Sequence, residues 1–321
     1  MRAMQVIELG QPLELRDVET PDPSAGEVLV RIQTCGLNFG DLLIVKGTYQ
    51  EKPALPATIG MEICGVVDVV GADVTGLAVG QRVAAYCGFG GLADYAALPA
   101  DICVPIPDVM SPVDAAAFLI AYGTSHVALD YKAHLQPGER LLVLGASGGV
   151  GLTAVELGKL MGAEVIACAR GPEKLAIAKA AGADHLLDSD TVDLRAAVKA
   201  LGGADVVYDP VGGALFDAAL RACNPEARLL PLGFASGTVP HIPANILLVK
   251  NLSVLGFYWG GYMRVNPKVL TDSFEVLFDW YAQGRLKPHV SHVLPLEEVN
   301  TGLDLLRNRH ATGKVIIQIG G

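Results

Sequence analysis

Along the first hundred residues, short runs of hydrophobic positions alternate with polar ones. "VLVRIQT" (28–34) has the period of two that places successive side chains on opposite faces of a strand, while "CGVVDVVG" (64–71) and "QRVAAY" (81–86) are rich in β-formers. "PDPSAGE", "GADVTGLAVG" and "GFGG" punctuate these runs with turn residues. A mostly β module is predicted here.

The period changes near residue 110. Ser111 or Asp114 is placed to cap a helix over "PVDAAAFLIAYGTSHVALDYKA". From residue 140 the pattern alternates: strand "RLLVLGA", helix 149–162, strand "EVIACA", helix 172–181, strand "HLLD", helix "VDLRAAVKAL", strand "ADVVYDP", helix "ALFDAALRAC", strand "ARLLPLG" and strand "LSVLGF". Strands and helices in this rhythm predict an α/β fold with a doubly wound parallel sheet. A helix-like segment spans 267–283, and "GKVIIQIGG" forms a β-rich tail that by pattern alone could extend the parallel sheet or return to the first module.

The loop "GASGGVG" (145–151) lies between a predicted strand and a predicted helix. Ala146, Gly148 and Gly151 fall on the positions of G-x-G-x-x-G, with Ser147, Gly149 and Val150 among them. Small residues there permit a tight turn and close approach of a pyrophosphate, and the helix start offers the N–H groups of Gly148, Gly149 and Val150 to phosphate. A glycine-rich strand–turn–helix without a ligand is the plain alternative. The alternation that continues for about a hundred residues favours a dinucleotide site. At the end of the second strand, "VIACARGPEK", Ala169 stands where an NAD site usually has a carboxylate, and Arg170 and Lys174 follow. Either cation alone reads as a solvated surface charge. Without an acid to repel a 2′-phosphate, the pair points to NADPH.

Composition narrows the classes. The chain has 321 residues, 51% of them hydrophobic and 18% charged, enough for two domains with substantial cores and too apolar for disorder. A net charge of −10 with no basic block gives no footprint for nucleic acid or an anionic membrane. The longest charge-free stretch, 229–249, is interrupted by glycine and proline, and the first residues lack a signal-peptide core, so a cytoplasmic protein is expected. Cys35, Cys64, Cys87, Cys103, Cys168 and Cys223 are far apart and show no metal-ligand spacing, and the histidines include no pair at such spacing.

Seven blocks in order carry a resemblance: "NFGDLLIVKGTYQ" (38–50), "IGMEICGVVDVVG" (59–71), "VGQRV" (79–83), "YGTSHVAL" (122–129), "GASGGVG" (145–151), "LLPLGF" (229–234) and "TGKVII" (312–317). Over essentially its full length the chain resembles the zinc-free quinone oxidoreductase (zeta-crystallin-like) branch of the medium-chain dehydrogenase/reductase superfamily. The resemblance implies a GroES-like catalytic domain over 1–120 and 262–321, a Rossmann NADPH-binding domain over 121–261, return of the tail to the first domain, and a homodimer. It implies reduction of a small-molecule quinone by NADPH, with an enone or enoyl acceptor as the alternative. A low-turnover NADPH-binding protein is the reading from another class.

Zinc-dependent members of the superfamily place ligands where this chain has Asn38, Met61 and Ile120, and the four-cysteine structural lobe is missing, so no metal is expected. Quinones and activated alkenes accept reducing equivalents without a Lewis acid because conjugation spreads the developing charge. The resemblance puts Asn38, Asp41, Tyr49 and Thr124 at the catalytic end, Asn38 as a donor to a carbonyl oxygen and Thr124 beside the nicotinamide amide. Asp41 is equally consistent with holding the local loop, and Tyr49 with packing. Leu43 stands where some relatives have a tyrosine, leaving water or solvent as the expected proton source. On the cofactor side, Ser189 stands at a phosphate-contacting position, Gly233 and Phe234 end a strand facing the cofactor, and Phe257 and Trp259 flank the nicotinamide half. Arg309 would reach the adenosine phosphate. As core aromatics and a surface arginine, the last three need no such role.

Overall fold

The computed structural model describes residues 1–320. The chain divides into two compact units, unit 1 formed by Met1–Ile120 with Phe278–Gly321 and unit 2 by Ala121–Leu277.

Unit 1 is the β-rich module. Its first eight strands are β1 (Arg2–Val6), β2 (Glu14–Asp17), β3 (Glu27–Leu37), β4 (Ala57–Thr58), β5 (Glu62–Val70), β6 (Arg82–Tyr86), β7 (Tyr95–Pro99) and β8 (Cys103–Pro105). The eleven-residue β3 is the hub, pairing antiparallel with β5 and with β7. Its Val28, Val30, Ile32, Cys35 and Leu37 enter a core shared with Ile63, Val67, Val83 and Leu98. Burying such a set is the main favourable contribution to the fold of this unit.

Unit 2 holds strands β9 (Arg140–Leu144), β10 (Glu164–Ala169), β11 (His185–Asp188), β12 (Ala204–Asp209), β13 (Cys223–Pro231) and β14 (Ser253–Val254). They form one sheet in the order β11-β10-β9-β12-β13-β14, every neighbouring pair parallel. Counted within the unit this is 3-2-1-4-5-6, the Rossmann order. Helices Gly149–Leu160, Pro172–Ala180, Leu194–Ala200 and Gly213–Ala222 connect the first five strands. Strands in such a sheet are covered on both faces, which explains why "RLLVL" buries four of its five residues with no alternation.

The remaining strands, β15 (Val290–Pro295) and β16 (Lys314–Gln318), return to unit 1. β16 pairs parallel with β15 and antiparallel with β3, so the tail joins the β module rather than the Rossmann sheet. Two elements depart from the sequence pattern. The single helix expected after Ser111 is broken into Pro112–Ala116 and Leu119–His126, followed by a π-helical segment Val127–Lys132. Ser111 does cap the first piece, its hydroxyl accepting the Asp114 amide at 3.0 Å. "LSVLGF" contributes only the two residues of β14, because the segment meets the sheet at its edge.

The turn after β9 shows why its glycines are needed. Gly145 has a φ of +62°, and a Cβ on Gly151 would run into the Gly145 carbonyl oxygen. A Cβ on Gly148 would approach nothing closer than that oxygen at 3.4 Å, an ordinary contact. Gly151→Ala is therefore expected to destabilise the protein by about 3 kcal/mol, as overpacking of rigid backbone does, and Gly148→Ala by less than about 1 kcal/mol. Thermal or urea unfolding of the two variants measures the difference.

Candidate active site

In unit 2 the turn after β9 lies where the strand order reverses, between β9 and β12, the place at which open α/β sheets bind ligands. Ala146 and Ser147 are buried, and Gly148 is the N-cap of the helix that begins at Gly149. The amides of Gly149, Val150 and Gly151 occupy the first turn, where a helix has no internal acceptors for its N–H groups. The turn is held by Ala146 N–H donating to Cys168 O and Gly148 N–H donating to Gly145 O, each at 3.0 Å, so the Gly148 amide, expected to face phosphate, is spent inside the turn. Gly145, with its left-handed backbone, belongs to this turn although the motif assignment begins one residue later; its signal was the glycine directly after the apolar strand.

Arg170, directly after β10, and Ser189, directly after β11, are brought together because the Ser189 amide donates to Ala169 O at 3.0 Å. Arg170 is ion-paired with Asp190 at 3.1 Å, both side chains being more than half exposed. Such a surface pair contributes little and exchanges readily. Asp188 is the acid the motif reading overlooked. It accepts the Gly171 and Asp190 amides, which hold its carboxyl below the usual range, so its Oδ1 is committed to the backbone. Lys174 lies in the first turn of helix Pro172–Ala180.

Thr124 is 9% exposed on the helix Leu119–His126. That helix is fastened to the glycine-loop helix by buried hydroxyls that sequence reasoning did not single out. Ser125 Oγ lies 3.0 Å from Val150 O and 2.8 Å from both Thr153 Oγ1 and Tyr208 OH, and Thr153 Oγ1 donates to Ala121 O at 3.0 Å. Tyr122 OH donates to Glu156 at 2.5 Å. Trp259 is 5% exposed, stands edge-on to Phe274 and lies so close to Gly123 that a Cβ there would be 3.0 Å from the indole. Phe257 is tilted against Tyr262 with ring centroids 5.7 Å apart. Both aromatics are therefore part of unit 2's packing, Trp259 lying against Gly123 of the helix that carries Thr124.

Gly233 and Phe234 follow β13 beside the turn after β12; a Cβ on Gly233 would be 3.3 Å from Pro210 O, and Phe234 is 41% exposed. Asp209, at the end of β12, is fully buried and accepts the Val211 and Gly212 amides at 2.8 Å. Burial pushes its carboxyl up, against those two hydrogen bonds. It shapes the rim of this end of the sheet and had no motif to announce it. Arg309 belongs to unit 1, on a turn in the left-handed region at φ +58°.

Unit 1 supplies a buried polar cluster. Asn38 caps the helix Phe39–Lys46 in an extended conformation, and its N–H donates to Asp41 Oδ2 at 2.8 Å. Its side-chain amide is fully engaged: Nδ2 donates to Gly36 O at 3.1 Å and to Glu62 Oε1 at 2.9 Å, and Oδ1 accepts from Lys314 Nζ at 2.8 Å. Donation to a substrate carbonyl would replace the longer of the two Nδ2 bonds. Glu62 is fully buried, pairs with the Lys314 ammonium through Oε1, and accepts the Ile120 amide at Oε2 at 2.9 Å. The break between the two helices after Ser111 leaves that amide available. Gly36 lies opposite Glu62 in the β3–β5 pair, and a Cβ there would collide with Ala116 O and crowd Glu62 Oε1.

Asp41 is fully buried, and that burial pushes its carboxyl up to about 7, against the Asn38 amide and Lys314. Burial likewise pushes the Cys35 and Cys87 thiols up, which makes them poor nucleophiles. Tyr49 is half-buried against the unit's core, and it and Met61 flank Gly40. Asn38, Met61 and Ile120, the positions of zinc ligands in metal-dependent relatives, bring an amide, a thioether and an alkyl chain, and the amide oxygen already holds an ammonium. This donor set does not fit zinc. Glu62 and Lys314 were missed in the sequence because they are 252 residues apart and each resembles an ordinary surface charge there.

Comparisons with known proteins agree with these two halves. Residues 24–108 match the family model of the alcohol dehydrogenase GroES-like domain, and residues 149–276 that of the zinc-binding dehydrogenase. A Nematostella vectensis protein described as quinone oxidoreductase-like protein 2 homolog is 41% identical over 98% of this chain and 88% of its own length. The Thermus thermophilus quinone oxidoreductase, solved alone and with NADPH, superposes with a TM-score of 0.88 at 34% identity, covering 99% of this chain and all of that one. The CurK enoyl reductase superposes with a TM-score of 0.89 at 26% identity over 99% of each chain. With its GroES-like and Rossmann parts and full-length kinship, the chain belongs to the quinone oxidoreductase branch of the medium-chain dehydrogenase/reductase superfamily.

Proposed function

We propose that the protein is a zinc-independent, NADPH-dependent reductase of quinones. The observation that carries the reading is the end of β10, where Ala169 stands in place of a ribose-binding carboxylate, Arg170 follows directly, and the Ser189 amide at the end of β11 donates to Ala169 O. A relative solved with NADPH supports the same cofactor.

The residues present fit a dinucleotide. The Gly149, Val150 and Gly151 amides would take the pyrophosphate, and the absence of side chains at Gly148 and Gly151 lets the backbone approach it. Arg170 would exchange its exposed Asp190 partner for the 2′-phosphate, with Lys174 and the Ser189 hydroxyl alongside. When bound, NADPH supplies the reducing equivalents. Thr124, on a helix fixed by the Ser125–Thr153–Tyr208 hydroxyls, would orient the carboxamide. On the acceptor side, Asn38, Asp41 and Tyr49 form the turn that would receive a flat electrophile. Asn38 offers an amide of fixed orientation, and Asp41, near neutrality in its titration, can hold or release a proton at physiological pH. Delocalisation in the acceptor takes the place of a metal, for which this turn has no donor set.

The second reading keeps cofactor and site and changes the acceptor to an enone or enoyl compound, favoured by the likeness to the CurK enoyl reductase. Because the two acceptors need the same cofactor and the same metal-free site, only turnover separates them. A homodimer remains part of the reading through the family resemblance.

Two measurements check the proposal. NADPH absorbance should fall when p-benzoquinone is added to the complex and fall far more slowly with an enone of similar size; the reverse order would establish the second reading, and no oxidation by either would leave a binding protein. Nicotinamide fluorescence should show NADPH binding more tightly than NADH, and a double Arg170→Ala, Lys174→Ala variant should lose about 2 kcal/mol of NADPH affinity, some thirtyfold, while NADH affinity stays within about twofold.

A further inference from the structure

The cluster beneath Asn38 contains more charge than a structural turn needs. Glu62 is fully buried and Lys314 5% exposed, and their ion pair joins the start of β5 to the start of β16. Burying two charges is costly, and apolar residues of similar volume would pack as well. What an apolar pair would not do is hold the Asn38 amide by both ends. Lys314 Nζ fixes its Oδ1 at 2.8 Å and Glu62 Oε1 fixes its Nδ2 at 2.9 Å. The other Glu62 oxygen is anchored by the Ile120 amide at 2.9 Å, so the carboxylate cannot swing. The ammonium thus sits on the amide oxygen of Asn38, one of the three positions that carry ligands in zinc-dependent members of the superfamily.

We propose that Lys314 and Glu62 are positioning residues for the acceptor-side turn: the ammonium, seated on Glu62, acts as its resident cation, fixing the Asn38 amide and setting the electrostatic field at Asp41. The groups facing Asp41 are the Asn38 and Gly60 amides, Lys314, Glu62 and the Cys35 and Cys87 thiols. Among them Lys314 favours the carboxylate and Glu62 opposes it. With both thiols held neutral by burial, these are the two charges whose removal acts on Asp41 in opposite directions.

The kinetic part of this proposal rests on the reductase reading, and its electrostatic part does not. The test compares the full-length protein with Lys314→Met, Glu62→Gln and the double variant. Asp41 is followed by carbon NMR of carboxyl-labelled aspartate, assigned with Asp41→Asn, and NADPH oxidation by p-benzoquinone is followed in a single turnover across the same pH range. Lys314→Met is expected to move the Asp41 titration to higher pH and Glu62→Gln to lower pH. The double variant, which has no unpaired buried charge and so keeps the fold if the single variants lose it, is expected to bind NADPH within about twofold of the parent yet react at least about tenfold more slowly. A double variant that reacts at the parental rate would overturn the proposal, because the pair would then be only core filling, and so would single variants that leave the Asp41 titration where the parent has it. Single variants that shift the titration in the same direction would overturn it as well. A parent that binds NADPH but oxidises it with no acceptor refutes the reductase reading instead, and the NMR titrations still decide the electrostatic claim.

Discussion

The buried Lys314–Glu62 pair is the interaction on which the polar cluster around Asn38 depends. It joins β5 to β16 and holds the side-chain amide of Asn38, the residue at the N-cap position of the helix Phe39–Lys46 just after β3. Gly36 makes room for it, since any side chain there would strike Ala116 O and Glu62. The helix break after Ala116 gives Glu62 the Ile120 amide as a further anchor. Removing one member of such a pair leaves a charge with neither water nor counter-ion, a cost of about 3–5 kcal/mol, so the strands, turn and helix break act as one arrangement.

Unit 2 follows a different constraint, close approach. Gly151 lies on the Gly145 carbonyl, and the helix carrying Thr124 is fastened by buried hydroxyls to the helix that starts at the glycine turn. The result is a rigid frame under a helix start whose amides remain open to an anion. Beyond the end of β10, Arg170 and Asp190 are solvated, so a phosphate could displace the carboxylate there at little cost. A rigid helix start with an exchangeable rim would suit the proposed dinucleotide, which must bind and leave.

The alternation of strand and helix made the Rossmann part legible almost element by element, because each buried parallel strand is a continuous apolar run with turn residues at both ends. The return of the tail to unit 1 came from the family resemblance, and the β16–β3 pairing agrees with it. What remained hidden was long-range and polar. Glu62 and Lys314 have no local signal of burial, the break of the helix after Ala116 depends on an amide taken by a residue 58 positions away, and Ser125, Tyr208 and Asp209 become interior polar groups only through the fold. Asn38 stood out in the sequence, but the hydrogen bonds that engage its amide did not. Local pattern reports periodicity and turn chemistry, whereas a buried polar network is specified by which distant groups the topology brings together.

In the proposed reading, the segment around Asn38 has an ammonium where zinc-dependent members of the superfamily carry a metal ligand. The most direct test is to quantify zinc in the purified protein and to follow NADPH oxidation by a quinone before and after exhaustive chelation. Zinc is expected far below one atom per chain, with a rate that chelation leaves unchanged. One zinc per chain, or activity lost on chelation and restored by zinc, would contradict it.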